Sequence, residues 1–259
     1  MASIYTTGRE KKVAQLYGDL HHYAGSSFAL DYLLPRFLKH IKELGLSPEL
    51  LRGKAFLDAG CGGFAGGVAV AARLGADQVL GIDLSPDNIR SARERFSTYP
   101  NVRFQQENLI NLSLLSESYD FVYCVGVLMC LEQPEAAFRQ LVRVLRPGGR
   151  MYIGVYGRGG LYNGFLTPAA RLAGKVIPRS IVAKILERWF PAFLRPTSSL
   201  MDLMYVAIDR HYRVREVLQW FDTVGMKATF LRHPEQPPSL LSTVLFGEGS
   251  MIYFSAVKP

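Results

Sequence analysis

Phe56-Leu57-Asp58-Ala59-Gly60-Cys61-Gly62-Gly63-Phe64-Ala65-Gly66-Gly67 is followed by Leu80-Gly81-Ile82-Asp83-Leu84-Ser85. The first stretch reads as a short apolar strand that runs into glycines and then into an Ala/Val-rich helix. The second is an apolar strand that ends on an acid. Glycines at a strand-to-helix turn let a ligand approach the backbone where a Cβ would block it. An acid at the tip of the next strand accepts hydrogen bonds from both hydroxyls of a ribose. Together the two stretches predict a site for an adenosine-containing ligand on a parallel α/β sheet.

Glycine spacing alone does not choose among such ligands. Asp58, inside the turn motif, does more. A carboxylate there repels a pyrophosphate but suits a ligand carrying an ammonium group. Position 65, where a dinucleotide fingerprint starting at Gly60 wants its third glycine, is Ala65, and no Gly-Lys-Ser/Thr follows to cradle a triphosphate.

Further motifs follow in order. Asp83 leads into Leu84-Ser85-Pro86 and Asn88-Ile89-x-x-Ala92-Arg93. Asn101 to Leu109 forms the next unit, then Tyr119-Asp120-Phe121-Val122 through Val127-Leu128-Met129-Cys130-Leu131, and Leu145-Arg146-Pro147-Gly148-Gly149-Arg150. From Leu57 to Gly63 and through these segments, over roughly residues 54 to 156, the chain resembles the class I S-adenosylmethionine-dependent methyltransferases, in their small-molecule branch. The resemblance implies a Rossmann-like, seven-stranded, mostly parallel sheet with helices on both faces and an antiparallel last strand. It implies S-adenosyl-L-methionine as cofactor, with S-adenosyl-L-homocysteine as product. The cofactor would be held by Asp58, Gly60, Cys61, Gly62, Asp83, Leu84, Asn108, Leu109 and Cys124. Three departures stand out: Phe64 takes the place of a glycine, Asn108 that of the usual adenine-binding Asp, and Cys130 that of a common His.

The chain has 259 residues, the natural size for one α/β domain with elaborations. Its longest nearly uninterrupted apolar run, Phe121 to Leu131, is short of a membrane span, and residues 1 to 15 lack the apolar core of a secretory signal. The three cysteines, Cys61, Cys124 and Cys130, have no CxxC spacing. Disulfides and a metal site are therefore not expected, and a cytoplasmic home is.

Strands are expected at about 54–58, 78–83, 101–105, 119–124, 150–155, 226–231 and 251–257. Helices are expected at about 66–74, 87–96, 134–145 and 214–225, with one or two more over residues 9 to 45. The division expected is an N-terminal helical cap (1–50), a cofactor-binding core (51–156), a helical insertion acting as substrate lid (157–213) and a C-terminal core helix with two strands (214–259). The net charge is +8, and its excess concentrates in the insertion, where Arg158, Arg171, Lys175, Arg179, Lys184, Arg188 and Arg195 face the single acid Glu187. Leu161, Tyr162, Phe165, Leu166, Ile177, Ile181, Ile185, Trp189 and Phe190 interleave with them. This basic segment, 158–195, reads as a solvated helix face or as a contact for a membrane surface or an acidic carrier protein; no nucleic-acid partner is expected.

A base is needed only where the methyl acceptor loses a proton. His21 and His22, beside Tyr17 and Tyr23, are the first catalytic candidates. Adjacent helical residues point about 100° apart, so at most one of them faces a pocket. His211 is the next, whereas His40 and His233 read as surface or strand-edge residues. Tyr17, Met129, Tyr156 and Tyr162 are candidate substrate-binding residues. The function expected is methyl transfer to an oxygen, carbon or nitrogen of a small hydrophobic or aromatic metabolite. An RNA or protein methyltransferase is the alternative, as is a non-methylating scaffold that keeps the cofactor.

Overall fold

The structure, a computed structural model, describes residues 7–20, 33–189, 204–236 and 239–259. The catalytic candidates His21 and His22 lie outside these residues, as do Tyr23, Phe190 and Arg195.

Seven strands form one sheet in the order β3-β2-β1-β4-β5-β7-β6. They are β1 (Ala55–Ala59), β2 (Gln78–Asp83), β3 (Val102–Gln106), β4 (Tyr119–Val125), β5 (Leu145–Tyr156), β6 (Ala228–Leu231) and β7 (Met251–Val257). Pairing is parallel from β3 through β5, and β7 runs antiparallel between β5 and β6. The sequence expectation holds, except that β5 starts earlier, at Leu145, where it pairs with Tyr119 across a bulge.

The helices described are α1 (Gly8–Leu20), α2 (Leu34–Glu43), α3 (Gly66–Arg73), α4 (Pro86–Arg95), α5 (Pro134–Val144), α6 (Thr167–Val176), α7 (Arg179–Trp189), α8 (Val214–Asp222) and α9 (Leu240–Phe246). Local chemistry sets several ends. Ser85 caps α4 by accepting from the Asn88 amide, with Pro86 in the first turn. Ser239 caps α9, a helix absent from the sequence expectation, in the same way.

Strand alternation sorts the core. On one face Phe56, Phe121, Tyr123, Tyr152 and Tyr253 form an aromatic row, with Phe56 stacked on Phe121 at 5.3 Å and Tyr123 on Tyr152 at 5.5 Å. Phe37 of α2 meets Phe121 and Tyr152 edge-on at 5.9 and 5.4 Å. The opposite face carries Leu57, Val122, Cys124, Met151, Ile153 and Phe254, covered by α5 and α8 through Phe138, Leu141 and Phe221.

Two histidines differ from expectation. His40 is fully buried on the apolar face of α2, beside Phe37 and Ile41. Its Nε2 lies 2.8 Å from the Arg232 carbonyl, to which it donates, and its Nδ1 lies 2.5 Å from the Tyr152 hydroxyl. Burial pushes its pKa down, which favours the neutral ring with Nδ1 as acceptor. His233 is also buried; burial, aided by Arg36, lowers it to about 4.

Tyr156, at the end of β5, lines the cavity described below, and no described residue after it does. After it, Gly160 packs backbone against backbone on Gly247, and Tyr162 rests on Phe246 at 6.0 Å. A π-helical turn (Tyr162–Leu166) then leads into α6. These contacts tie the start of the insertion to α9.

Candidate active site

A cavity of about 280 Å³ opens at the carboxyl ends of β1, β2 and β4, the place where open α/β sheets bind ligands. Val13, Ala14 and Tyr17 of α1 close it from one side. Their helical spacing, one turn apart, is the signal in the sequence that α1 faces a ligand rather than solvent.

Asp58 sits at the tip of β1, buried to 2 % exposure, and its Oδ2 accepts from the Val68 amide at 3.0 Å. Burial outweighs that bond and raises the carboxyl to about 7. Two glycines make the close packing here possible. A Cβ on Gly67 would lie 2.6 Å from Asp58 Oδ2 and 2.8 Å from the Tyr123 ring. A Cβ on Gly60, whose φ is +86°, would collide with the Val127 side chain. At the α3 N-terminus Ala65 holds φ +48°, left-handed backbone that a methyl group tolerates poorly.

Asp83 ends β2. Its Oδ2 accepts from the Gly62 amide at 2.9 Å, and its Oδ1 from the Ser85 amide at 2.8 Å and the Asn88 amide group at 3.0 Å. The acid is thus locked to the glycine turn and to α4. A carboxylate has about four acceptor sites, which leaves one for a diol at the cavity wall. Asn108 follows β3; its Oδ1 accepts from the Ile110 amide at 3.0 Å, and its Nδ2 points to Glu10 Oε2 at 3.5 Å. Leu84 and Leu109 provide apolar walls on either side of this end.

Of the residues singled out in the sequence, the cavity brings together Tyr17, Asp58, Gly60, Cys61, Gly62, Asp83, Leu84, Asn108, Leu109 and Tyr156. Cys124 does not line it: strand alternation turns Tyr123 and Val125 toward the cavity and Cys124 into the aliphatic core, where burial raises its thiol pKa beyond the ordinary range. Met129 is fully buried in the same core. Tyr162 packs on α9 instead.

His211 is held behind the wall. It stacks on Tyr156 at 5.6 Å. Nδ1 lies 3.1 Å from the Gly157 carbonyl and Nε2 lies 2.9 Å from Asp209 Oδ2. Both partners are acceptors, an arrangement that favours the protonated ring, in which both nitrogens donate and no lone pair is vacant. Burial alone would lower its pKa, but the Asp209 bond and charge, with the Gly157 carbonyl, outweigh burial and raise it. Arg171 of α6 pairs with the same Asp209 oxygen at 2.9 Å. A base needs a vacant nitrogen lone pair, which the protonated ring lacks.

Sequence reasoning did not single out Val13, Ala14 or Glu107 as lining groups; Phe64 and Cys130, marked in the sequence as departures from the resemblance, also line the cavity, as do Val127 and Leu131. Cys130 Sγ lies 3.4 Å from the Tyr17 hydroxyl. Among the described residues no cluster of His, Cys, Asp or Glu could hold a metal ion.

Comparison with known proteins agrees with this geometry. Residues 57–153 match the family model described as a methyltransferase domain. A ubiquinone biosynthesis O-methyltransferase of Xanthomonas oryzae pv. oryzae is 32% identical over 151 residues, 56% of this chain and 59% of that protein. The chain therefore spans about three fifths of the length of the curated relatives it matches. A methyltransferase from Haloferax volcanii, solved with the Trm112 methyltransferase activator, superposes with a TM-score of 0.62 at 14% identity, covering 97% of this chain and 98% of that one. Magnesium protoporphyrin IX methyltransferase from Synechocystis PCC 6803, solved with S-adenosylhomocysteine bound, gives 0.54 at 15% identity over 98% and 89%.

The residues present fit S-adenosylmethionine. An acid whose burial leaves it in need of a cation suits the ammonium, the turn-locked Asp83 suits the ribose, and the Asn108 oxygen suits the adenine amino group. Residues 57–153 match a methyltransferase domain, and the chain shares the fold of S-adenosylmethionine-dependent methyltransferases.

Proposed function

We propose that this protein transfers a methyl group from S-adenosylmethionine to a hydroxyl of a small, hydrophobic or aromatic metabolite. The observation that carries this reading is the lining of the cavity. Besides the acids and glycines of the strand tips, it is lined by Val13, Ala14, Phe64, Val127, Leu131 and Tyr156. Among the other lining side chains, the Tyr17 hydroxyl and the Cys130 thiol lie 3.4 Å apart. The relatives named as O-methyltransferases support oxygen as the acceptor atom.

Asp83 would hold the ribose hydroxyls, Asn108 would accept from the adenine amine between Leu84 and Leu109, and Asp58 with the Gly60–Gly62 backbone would face the amino acid part. When bound, the sulfonium supplies an electrophilic methyl group and departs as a neutral thioether. What remains for the chain is to orient the acceptor, exclude water and take up the hydroxyl proton, the role for which His21 and His22 are the candidates. In this reading α1 excludes water, and Tyr17 fixes the acceptor hydroxyl by a hydrogen bond. The division of labour follows: residues 1–50 cap the site, 51–156 hold the cofactor, 157–213 serve as the substrate lid and 214–259 complete the sheet. The three free thiols suit a reducing, cytoplasmic setting.

The test is release of S-adenosylhomocysteine on incubation with S-adenosylmethionine and a panel of phenols and catechols with and without alkyl tails. Turnover that favours the tailed acceptors, and that falls in Tyr17→Phe while cofactor affinity holds, is expected. Titration calorimetry without binding of S-adenosylmethionine or S-adenosylhomocysteine would overturn the reading. Methyl incorporation into RNA or protein but into no small acceptor would replace it with the macromolecular alternative.

A further inference from the structure

The molecule carries an apolar surface that its own described residues leave exposed. On the π-helical turn and α6, Leu161, Phe165, Leu172 and Val176 are 52, 68, 65 and 80 % exposed. Positions 161, 165, 172 and 176 fall within about 60° of one another around a helix, so they form one stripe rather than a scatter. The neighbouring α9 adds Leu240, 84 % exposed, and Leu241 and Val244 beside it. The two elements touch through Tyr162 and Phe246 and through the Gly160–Gly247 backbone contact. Monomeric proteins rarely leave so many large apolar side chains exposed on adjoining elements unless a partner uses them.

Charge decides which partner. From residue 157 to residue 186 the sequence has no Asp or Glu, while Arg158, Arg171, Lys175, Arg179 and Lys184 fall within it. Arg158 and Arg171 pair with Glu216 and Asp209; Lys175, next to Val176 in the stripe, and Lys184 on α7 are exposed. α9 carries no charged residue at all. A second copy of this chain docking through the same face would set these cations against their own images, an arrangement that costs energy. An anionic lipid surface meets both halves of the pattern: leucine and phenylalanine side chains enter the acyl boundary while lysines meet the headgroups.

We propose that the face formed by the π-helical turn, α6 and α9 docks on an anionic membrane surface. No helix among the described residues is long and apolar enough to cross a membrane, so contact is peripheral. The π-helical turn begins six residues after Tyr156, which lines the cavity. Docking therefore sets the acceptor end of the cavity beside the bilayer, where an apolar acceptor concentrates. This last step rests on the proposed methyl transfer to a hydrophobic acceptor; the docking itself does not.

The experiment is co-sedimentation of the full chain with vesicles of phosphatidylcholine, alone or mixed with phosphatidylglycerol. Partition into the mixed vesicles is expected, with weak binding to the neutral ones and loss at high salt. Lys175→Glu and Lys184→Glu should each lower partition roughly fivefold or more, and Phe165→Ser with Leu172→Ser about tenfold or more. All four positions are exposed, so S-adenosylhomocysteine affinity should be unchanged in every variant. Three results overturn the inference: no partition, equal partition with both vesicle types, or a self-association seen in sedimentation velocity that the same variants abolish. Partition intact without cofactor binding would sink the methyltransferase reading and leave the docking face standing.

Discussion

The Glu10 carboxylate of α1 lies 3.5 Å from the side-chain nitrogen of Asn108, and both residues are buried. This contact supplies a physical reason for the amide at a position where the resemblance leads one to expect an acid. Asn108→Asp would set two carboxylates against each other away from water, and one of them would have to be neutralised. The expected cost is about 2–4 kcal/mol of stability in urea denaturation. Glu10→Gln added to Asn108→Asp should recover most of it, because the amide then donates to the new acid. Asn108→Asp as stable as the parent would show that the two side chains do not interact.

Asp58 makes cofactor binding a proton-linked event. Its carboxyl, raised from 3.8 to about 7 chiefly by burial, is largely neutral in the empty site at pH 6. An ammonium beside it favours the charged form, so binding below pH 7 releases a proton. S-adenosylhomocysteine affinity should rise by up to about tenfold per pH unit below 7 and level off above it. Calorimetry in buffers of different ionisation heat reads the released proton directly. The unliganded protein shows the opposite trend. A raised carboxyl stabilises fully below its unfolded value, and that contribution is lost as pH climbs through about 7. Asp58→Asn should flatten both profiles; a flat affinity profile in the parent would mean that no ammonium meets Asp58.

Gly67 is the tightest point between α3 and β1. Its Cβ would fall 2.6 Å from Asp58 Oδ2 and 2.7 Å from Asp58 Cγ, with the Tyr123 ring at 2.8 Å. None of these atoms is the far end of a flexible chain. Gly67→Ala should therefore cost about 1–3 kcal/mol of stability and displace the acid that faces the ligand, lowering cofactor affinity tenfold or more. Gly164 in the π-helical turn has nothing within 4 Å of its would-be Cβ. Gly164→Ala is the matched control and should leave affinity unchanged.

What could be read from the sequence and what could not divide along physical lines. The strand tips carrying Asp58 and Asp83 were legible because a turn that brings backbone to a ligand needs glycine, and a strand that stops on an acid exposes it; Asn108 came from the resemblance alone. Cys124 was misplaced toward the cofactor because a motif match gives the strand but not its facing; the two-residue period, with Tyr123 and Val125 toward the cavity, turns it into the core. His40 looked like a surface residue because its neighbours Lys39 and Lys42 are charged. Its burial depends on Tyr152 and the Arg232 carbonyl, partners far away in sequence. The insertion was read as a lid because it leaves the sheet at the cavity edge. The packing of its start, Gly160 and Tyr162, on α9 was not legible, because that helix is too short and too uncharged for its periodicity to stand out.

His211 separates a catalytic from a positioning role. As an imidazolium clamped between Asp209 and the Gly157 carbonyl, it presents its face to Tyr156 and supports a ring that lines the cavity. Its pKa is raised above 6.5, because Asp209 and the carbonyl outweigh burial. The clamp's contribution to stability is therefore complete below about pH 6.5 and fades as pH rises through the folded-state value. His211→Gln keeps one donor but no charge, and its stability should depend less on pH over that range than the parent's. Removing a general base typically costs about 10²–10⁴ in rate. Loosening a supported wall acts instead on the acceptor. His211→Gln should thus raise KM for the acceptor while kcat falls by less than about tenfold, with cofactor affinity unchanged. A fall in kcat of a hundredfold or more, with the acid limb of the pH–rate profile abolished, would return His211 to the list of bases and show that the clamp opens during turnover.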